Sequence, residues 1–431
     1  MIKLSGLFGL LLLLAGCVSS PRQSDNLDEI AADYVQMTLE IGEREPGYVD
    51  AYYGPKEWAD AAKAAPRSVE QLANEADALS DRAAAIDPGA LQPMQRRRRD
   101  FLLAQIRAAQ TRLRMLQGER LSFTEEAQGL FGVRVELKPL THYDPILARI
   151  ERLVPGPGAL SERVDAFQDR FTIPQERLRP VFAAAIAECR RRTAQHIALP
   201  QGESFTMEFV TGKSWSGYNY YQGNFKSLIQ INTDLPIRIS RAVDLGCHEG
   251  YPGHHALNML LEHRLTRGLG WVEFSVYPLY SPQSLIAEGS ANHGIDLAFP
   301  GEERLRYETA ALYPLAGLST RNAPKYLELL RATSDLAGVR FTIARQYLER
   351  RIDRTQAVAL TQKYQLVSKK RAEQLIDFTQ QYRSYVINYG LGQELVEAYV
   401  EAAGASSQAR WAAMERIISE PTLPSDLLVR R

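Results

Sequence analysis

The chain has 431 residues, a length that fits two or three domains, but no Gly-, Ser- or Pro-rich linker divides it. Its 51 basic and 51 acidic residues leave a formal net charge of zero, which gives no electrostatic support for binding nucleic acid. We therefore expect one continuous folded unit and no nucleic-acid partner.

The first 17 residues have the pattern of an export signal. Lys3 supplies a positive charge, and residues 7–14 form an apolar core that is too short to span a bilayer as a mature helix. The following Leu14-Ala15-Gly16-Cys17 resembles the lipobox of bacterial lipoproteins, in which the cysteine is lipidated and becomes the first mature residue. Residues 18–26 are expected to form a polar tether.

The residue after Cys17 favours one destination. Val18 rather than Asp follows the cysteine, which resembles lipoproteins that are sent on to the outer membrane. We expect a lipid-anchored protein on the bacterial outer membrane or the periplasmic face of a membrane, with Cys17 as its attachment. Ordinary secretion with cleavage nearby is the alternative.

Residues 27–200 are predicted to be a helical region, because apolar side chains recur at three- and four-residue spacing. An aromatic turn is expected near residues 50–55 and an irregular segment at 131–144. Cys189 and Cys247 could pair in an oxidising compartment, but two buried thiols are the favoured interpretation. The predicted helices cover residues 28–42, 56–64, 69–85, 93–116, 145–154, 160–170 and 174–197.

The pattern changes at the start of the second region, residues 201–431. Residues 206–210 and 227–232 alternate apolar and polar side chains, as strands do. Between them, residues 215–223 are predicted to form an aromatic, glycine-bearing loop. Its aromatic side chains either line a substrate cleft or pack within a hairpin.

The sequence His-Glu-Gly-Tyr-Pro-Gly-His-His at 248–255 contains three of the seven histidines. In the zinc-peptidase pattern H-E-x-x-H, a helix places two histidines four residues apart and the glutamate acts as general base. Here His254 and His255 follow His248 by six and seven residues. Seven helical residues span about 10.5 Å, too far for two imidazoles to share one zinc at about 2.0–2.1 Å each.

A proline and a glycine inside this motif change the spacing argument. Pro252 cannot donate a helical hydrogen bond and clashes with the carbonyl of His248, and Gly253 allows unusual backbone angles. The helix is therefore predicted to bulge there and absorb two extra residues. This favours His248 and His254 as metal ligands, with His255 as the alternative.

Helices are predicted again after the motif, and one of them carries an unexpected acid. Glu288 lies in a small, apolar segment, where a carboxylate is costly to bury unless something pairs with it. It is predicted as the third ligand of Zn²⁺, with His293 as the alternative, and Asp244 and Asn292 as supporting partners. A helix end with a polar histidine cluster is the competing interpretation. The predicted helices cover residues 283–297, 303–315, 323–349, 355–366, 368–388 and 391–403.

The motif His248-Glu249-x-x-Pro252-Gly253-His254-His255 resembles the signature of the bacterial DUF885 family, which is grouped with gluzincin metallopeptidases. Weaker likenesses lie at Glu288-Gly289 and at the Gly-Gln-Glu-Leu of residues 392–395, although Ser290 and Leu391 depart from the family pattern. The resemblance implies a mainly α, gluzincin-like metallopeptidase with a small β-sheet beside the metal helix. In that arrangement an edge strand lines the cleft and pairs with extended substrate.

The resemblance also implies roles in catalysis. Tyr385 and Tyr389, one helical turn apart, are candidates to donate a hydrogen bond to the oxyanion, because related peptidases present a tyrosine to the metal. Glu249 is expected to take the proton of a zinc-activated water and pass it to the leaving amine. We therefore predict zinc-dependent hydrolysis of peptide bonds by a membrane-anchored periplasmic protein. The alternatives are a zinc amidohydrolase acting on a non-peptide amide and a non-catalytic, zinc-containing binding lipoprotein.

Overall fold

The computed structural model describes residues 23–428, most of which lie in α-helices. Two small sheets complete the fold, and one of them packs beside the helix that carries His248. The predicted fold class, mainly α with a small β-sheet beside the metal helix, is confirmed. The predicted signal peptide, its Cys17 and the start of the tether lie outside the described residues.

The described chain up to residue 200 is helical, as predicted. Helices α3 and α4 have the predicted bounds because their starts are well marked: the Ser68 side chain accepts a hydrogen bond from Gln71, and proline opens α4. Helix α5 was missed, although Ser122 and Glu125 form a capping box there. The helices are α1 (Gln23–Arg44), α2 (Lys56–Ala64), α3 (Val69–Ala85), α4 (Pro93–Leu116), α5 (Phe123–Phe131), α6 (Asp144–Leu153), α7 (Leu160–Asp169) and α8 (Leu178–Ala194).

The second region is helical on both sides of its metal motif. The predicted helix at 303–315 continues through a π-helical segment (Glu308–Leu312), and the one at 323–349 is divided in two. The predicted final helix begins at Ile387, so that Tyr389 lies in its first turn. The helices are α9 (Ser240–Glu249), α10 (His254–Leu261), α11 (Pro282–Ala298), α12 (Glu303–Tyr307), α13 (Tyr313–Ala316), α14 (Ala323–Ser334), α15 (Val339–Leu348), α16 (Arg354–Gln365), α17 (Lys369–Tyr382), α18 (Ile387–Ala402) and α19 (Ser407–Ser419).

The larger sheet corrects one prediction. Strands β2 (Ser204–Val210), β3 (Gly217–Gly223) and β4 (Lys226–Asn232) lie in the order β2-β4-β3, with β2 parallel and β3 antiparallel to β4. The segment predicted as an aromatic loop is therefore mostly strand, because pairing with β4 satisfies its backbone and tyrosine favours strands. Strand β3 forms an edge of this sheet.

Contacts cross the boundary near residue 200. Strand β1 (Val49–Tyr52), predicted as a turn, pairs antiparallel with β5 (Val276–Pro278). The rings of Phe101 and Phe274 stack with centroids 4.6 Å apart. The two regions therefore share a core, while the predicted division itself stays a prediction. No helix between residues 23 and 428 has the length and hydropathy that a membrane span requires.

A disulfide bond joins Cys189 on α8 to Cys247 on α9, with Cα atoms 5.4 Å apart. The prediction of two unpaired thiols is wrong, because sequence could not show that α8 and α9 lie side by side. Gly246 permits the close approach, since a Cβ there would lie 3.2 Å from the Ile186 side chain. The bond ties the metal helix to the first region at the residue before His248.

Candidate metal centre

The metal motif contains a complete helix break. Helix α9 ends at Glu249 and α10 begins at His254, with a cis peptide bond between Tyr251 and Pro252. The predicted bulge in a continuous helix is therefore wrong, although the proline and glycine do interrupt the helix as argued. Gly253 lies so near α9 that a Cβ would be 1.8 Å from the carbonyl oxygen of His248, a position that only glycine can occupy.

This break brings the three predicted ligands together. His248 Nε2 lies 3.1 Å from His254 Nε2 and 3.2 Å from Glu288 Oε2, and His254 Nε2 lies 3.8 Å from the same carboxylate oxygen. Donors about 2.0–2.1 Å from a tetrahedral zinc are roughly 3.3 Å apart, which matches this spacing. The histidine side chains are 12% exposed and that of Glu288 6%, so the site is buried but open to one side.

The hydrogen bonds around His248 show that lone pairs converge here. The Asn292 Nδ2 amide donates to the Tyr389 carbonyl at 2.9 Å, so its Oδ1 faces His248 Nδ1 at 3.0 Å and accepts a hydrogen bond. In the neutral imidazole, His248 Nε2 then carries a lone pair directed at Glu288 Oε2, a buried atom without a hydrogen-bond partner among residues 23–428. Two facing acceptors need a cation between them, so the donor set fits a metal ion.

Glu288 is held from two sides. Its Oε1 accepts a hydrogen bond from the Tyr385 hydroxyl at 2.8 Å. Helix α11, which carries Glu288, also packs closely against α18. Glycine at 289 permits this approach, since a Cβ there would lie 2.4 Å from the Gly392 carbonyl group. Tyr385 also lines the cleft, but its hydroxyl is already engaged with a predicted ligand. Tyr389 lines the cleft on the next turn, where it remains the better candidate for contact with substrate.

The charge states of His254 and Glu288 suit metal binding. Burial acts to lower the pKa of His248, but the Glu288 and Glu249 carboxylates outweigh it and raise that pKa. Burial lowers the pKa of His254 to about 4, which keeps its imidazole neutral. Burial acts to raise the pKa of Glu288, but the neighbouring His248, His254 and Tyr385 side chains outweigh it and lower that pKa. A neutral imidazole and an ionised carboxylate are the forms that bind a metal ion.

His255 belongs to a different set of contacts. Its side chain is fully buried, with Nδ1 2.8 Å from Ser227 Oγ and Nε2 3.1 Å from Glu203 Oε2. Both ring nitrogens therefore have partners in the sheet region, and the structure does not bring His255 to the three converging donors. It fastens the start of α10 to β4.

The roles predicted for Asp244, as a supporting partner, and for His293, as an alternative ligand, are wrong. Asp244 forms an ion pair with Arg304 at 2.8 Å rather than contacting an imidazole. His293 lies one residue beyond Asn292, which turns it about 100° around the helix, so its buried ring nitrogens face away from Glu288. Asn292, four residues after Glu288, lies on the same helical face and reaches His248.

Glu249 adjoins a ligand without joining the donor set. Its residue is 3% exposed, and its Oε2 has no hydrogen-bond partner in the described part of the chain. Strand β3 packs directly against Glu249: a Cβ on Gly217 would lie 2.6 Å from Glu249 Oε1. Asn219 Nδ2 on the same strand donates a hydrogen bond to the backbone carbonyl of Glu249 at 2.7 Å. Burial raises the pKa of Glu249 to about 7; the His248 charge opposes this, and the Glu288 carboxylate adds to it.

A cleft of about 1380 Å³ opens over these residues. Its walls come from both regions of the chain and include groups that sequence reasoning missed. Because these residues lie far apart in the sequence, no local pattern indicated that they share a cleft. Asn258 is the exception, since it lies one helical turn after His254 and so on the same face of α10. The missed residues include Asp50, Asn258, Tyr277, Arg241, Arg340, Arg371 and Tyr382.

No protein-family model and no curated protein matches this sequence, so the resemblance to DUF885 stays a prediction. A candidate lipoprotein from Colwellia psychrerythraea aligns with a TM-score of 0.50 and 16% identity over 82% of this chain and 67% of its own. A candidate lipoprotein of unknown function from Shewanella oneidensis aligns with a TM-score of 0.45 and 12% identity, over 94% of this chain and 80% of its own. An M32 carboxypeptidase from Deinococcus radiodurans R1 aligns with a TM-score of 0.35 and 14% identity, over 92% of this chain and 89% of its own. The likeness to the Colwellia protein concerns the fold alone.

Proposed function

We propose that this chain is a zinc-dependent hydrolase that cleaves peptide bonds. One observation carries the proposal: ligand atoms of His248, His254 and Glu288 all lie within 4.8 Å of one another, beside Glu249, whose carboxylate is buried and not part of the donor set. A structural metal site has no use for such a carboxylate. Two histidines and one glutamate leave a zinc ion with a position for water or substrate.

The residues around the donors have distinct tasks in this proposal. When bound, zinc supplies a Lewis acid that polarises a carbonyl and lowers the pKa of water. Glu249 accepts the proton of the attacking water and passes it to the leaving amine. Tyr389 donates a hydrogen bond to the carbonyl oxygen as it gains negative charge. Tyr385 and Asn292 hold Glu288 and His248 in place through the hydrogen bonds described above.

Strand β3 supports an extended peptide as the substrate. Ser216 O accepts from Asn232 N at 2.9 Å, so the backbone groups of Tyr218 also point to β4, and those of Gly217 and Asn219 point away from it. These outward groups lie beside Glu249 and are available to an added strand. The volume of about 1380 Å³ also exceeds that of most small-molecule pockets, which disfavours a small non-peptide amide.

The proposal places the enzyme on a membrane through Cys17. The lipobox-like Leu14-Ala15-Gly16 supports lipidation, and the disulfide between Cys189 and Cys247 suits an oxidising compartment. The candidate lipoprotein from Colwellia psychrerythraea has a similar fold, which agrees with this location. A Cys17→Ser variant should lose lipid labelling and move to the soluble fraction. If it stays membrane-bound, the anchor proposal is wrong.

The activity is tested with purified wild-type protein and a peptide mixture analysed by mass spectrometry. We expect about one zinc ion per chain, cleavage of peptides, loss of cleavage with a chelator, and recovery when zinc is restored. Cleavage of small amides but not peptides would favour the amidohydrolase. Bound zinc with no cleavage of either substrate class would favour the binding lipoprotein and contradict the proposal.

A further inference from the structure

Three arginines from different helices line the cleft that holds the metal centre: Arg241 on α9, Arg340 on α15 and Arg371 on α17. Arg340 contacts two neighbouring aromatic rings, with its guanidinium carbon 4.9 Å from the Phe378 centroid and 5.3 Å from that of Tyr389. Its Nε is buried and has no hydrogen-bond partner among the described residues. These cation–π contacts hold the guanidinium in place without neutralising its charge.

Arg371 is held in a similar way by neutral groups. Its guanidinium donates to Gln374 Oε1 at 2.5 Å and to Ser216 Oγ at 3.2 Å. Arg241 has one weak contact with a carboxylate, 3.4 Å from Asp244. Within residues 23–428, no carboxylate forms an ion pair with Arg340 or Arg371, although the other strongly buried arginines have acidic partners.

The electrostatics of this cluster favour an anion. Burial, together with the charges of Arg241, Arg340 and Arg238, lowers the pKa of Arg371 to about 10. Burial also lowers the pKa of Arg340, against the opposing influence of Tyr389 and Glu288. These guanidinium groups remain charged at neutral pH and repel one another, so a negative group placed between them would be bound strongly.

The cluster lies close to the proposed reaction centre. Arg241 precedes His248 by seven residues on α9, which puts it on the same face about 10.5 Å along the axis. Arg340 contacts Tyr389, whose ring lies 6.0 Å from that of Tyr385, the residue that binds Glu288. An extended peptide advances about 3.3 Å per residue. The distance of about 10.5 Å between Arg241 and His248 along α9 therefore corresponds to roughly three peptide residues.

We propose that Arg241, Arg340 and Arg371 bind a carboxylate of the substrate within about three residues of the cleaved bond. The inference rests on the proposed peptide hydrolysis and narrows it to anionic peptides. The carboxylate is either the free C-terminus of a short peptide or an Asp or Glu side chain. Both present the same planar anion to a guanidinium fork.

The test compares matched peptides as substrates of the zinc-loaded enzyme. One set has the same sequence as the free acid and as the C-terminal amide. A second set consists of amides with Glu or Gln at each of the three positions on either side of the cleaved bond. We expect one carboxylate form to be cleaved about 10–100-fold more efficiently than its neutral twin, mainly through a lower KM. The set that shows the difference identifies the source of the carboxylate.

Variants link this preference to the cluster. In Arg371→Met and Arg340→Met the preference should fall towards one, while Arg371→Lys should retain part of it. Arg345→Met is the matched control, because Arg345 also lies on α15 but pairs with Glu349 outside the cleft. If a Met variant does not fold, the wild-type ratio and Arg371→Lys decide. Equal cleavage of all charged and neutral twins would overturn the inference and leave peptide hydrolysis standing. Failure to cleave any peptide would overturn both.

Discussion

Replacing Gly253 by alanine tests the link between the helix break and the metal site. The added Cβ would lie 1.8 Å from the carbonyl oxygen of His248 and 2.5 Å from that of Cys247. Because both obstacles are backbone atoms, no side-chain rotation relieves the clash. Reaching even a tight contact of 3.0 Å requires a shift of about 1.2 Å between His248 and Gly253. Metal–ligand distances tolerate only about 0.2 Å, so His248 and His254 can no longer share an ion.

Zinc content and thermal unfolding measure both consequences. We expect Gly253→Ala to lose stoichiometric zinc and about 1–3 kcal/mol of unfolding free energy, the usual cost of overpacking. Gly268→Ala is the control, since that exposed residue has helical angles and its Cβ would lie 3.2 Å from the nearest atom. Full zinc and unchanged stability in Gly253→Ala would refute the argument that this contact positions the ligands.

Three further predictions follow from individual contacts. His255→Ala should keep its zinc but lose about 1–3 kcal/mol of stability, because its hydrogen bonds to Ser227 and Glu203 are lost. Alanine at any of the three predicted ligands should instead remove the zinc. Metal analysis that shows the reverse contradicts the assignment of the ligands. Tyr385→Phe removes the hydrogen bond to Glu288 and should weaken zinc about 10–100-fold in a chelator competition; unchanged affinity argues against that support. Burial acts to raise the pKa of Glu203, but hydrogen bonds from His255, Tyr251 and Arg190 outweigh it and lower that pKa to about 2. The stabilising effect of the Glu203 charge is therefore present above pH 4.5 and lost as pH falls towards 2. The melting temperature of Glu203→Gln should accordingly approach that of wild type as the pH falls from 5 to 3. A constant difference between the two melting temperatures over this range would contradict the argument.

The parts of the fold that sequence predicted well have local causes. Helices α3 and α4 begin at a capping serine and a proline and carry regular apolar spacing, so their bounds agree with the prediction. The convergence of His254 on His248 followed from the proline and glycine between them. The acid at Glu288 was informative because its own segment offered no partner for a buried charge.

The parts that were missed depend on distant neighbours. Strand β3 has glycine and asparagine among its tyrosines, and it extends because β4 pairs with it. The disulfide requires α8 and α9 to be adjacent, which no local pattern records. Arg340 and Arg371 resemble ordinary surface cations in sequence, and only the packing of α15 and α17 around the cleft leaves them without acidic partners.

Glu249→Gln tests the central claim most directly. Glutamine keeps the size of the side chain and removes no ligand, so the fold and the zinc content should match wild type. With a peptide first identified as a substrate of wild type, kcat should fall by about 10²–10⁴, the usual share of general acid–base catalysis. Wild-type turnover by a zinc-loaded Glu249→Gln enzyme would contradict the account, because the buried carboxylate would then have no part in the reaction.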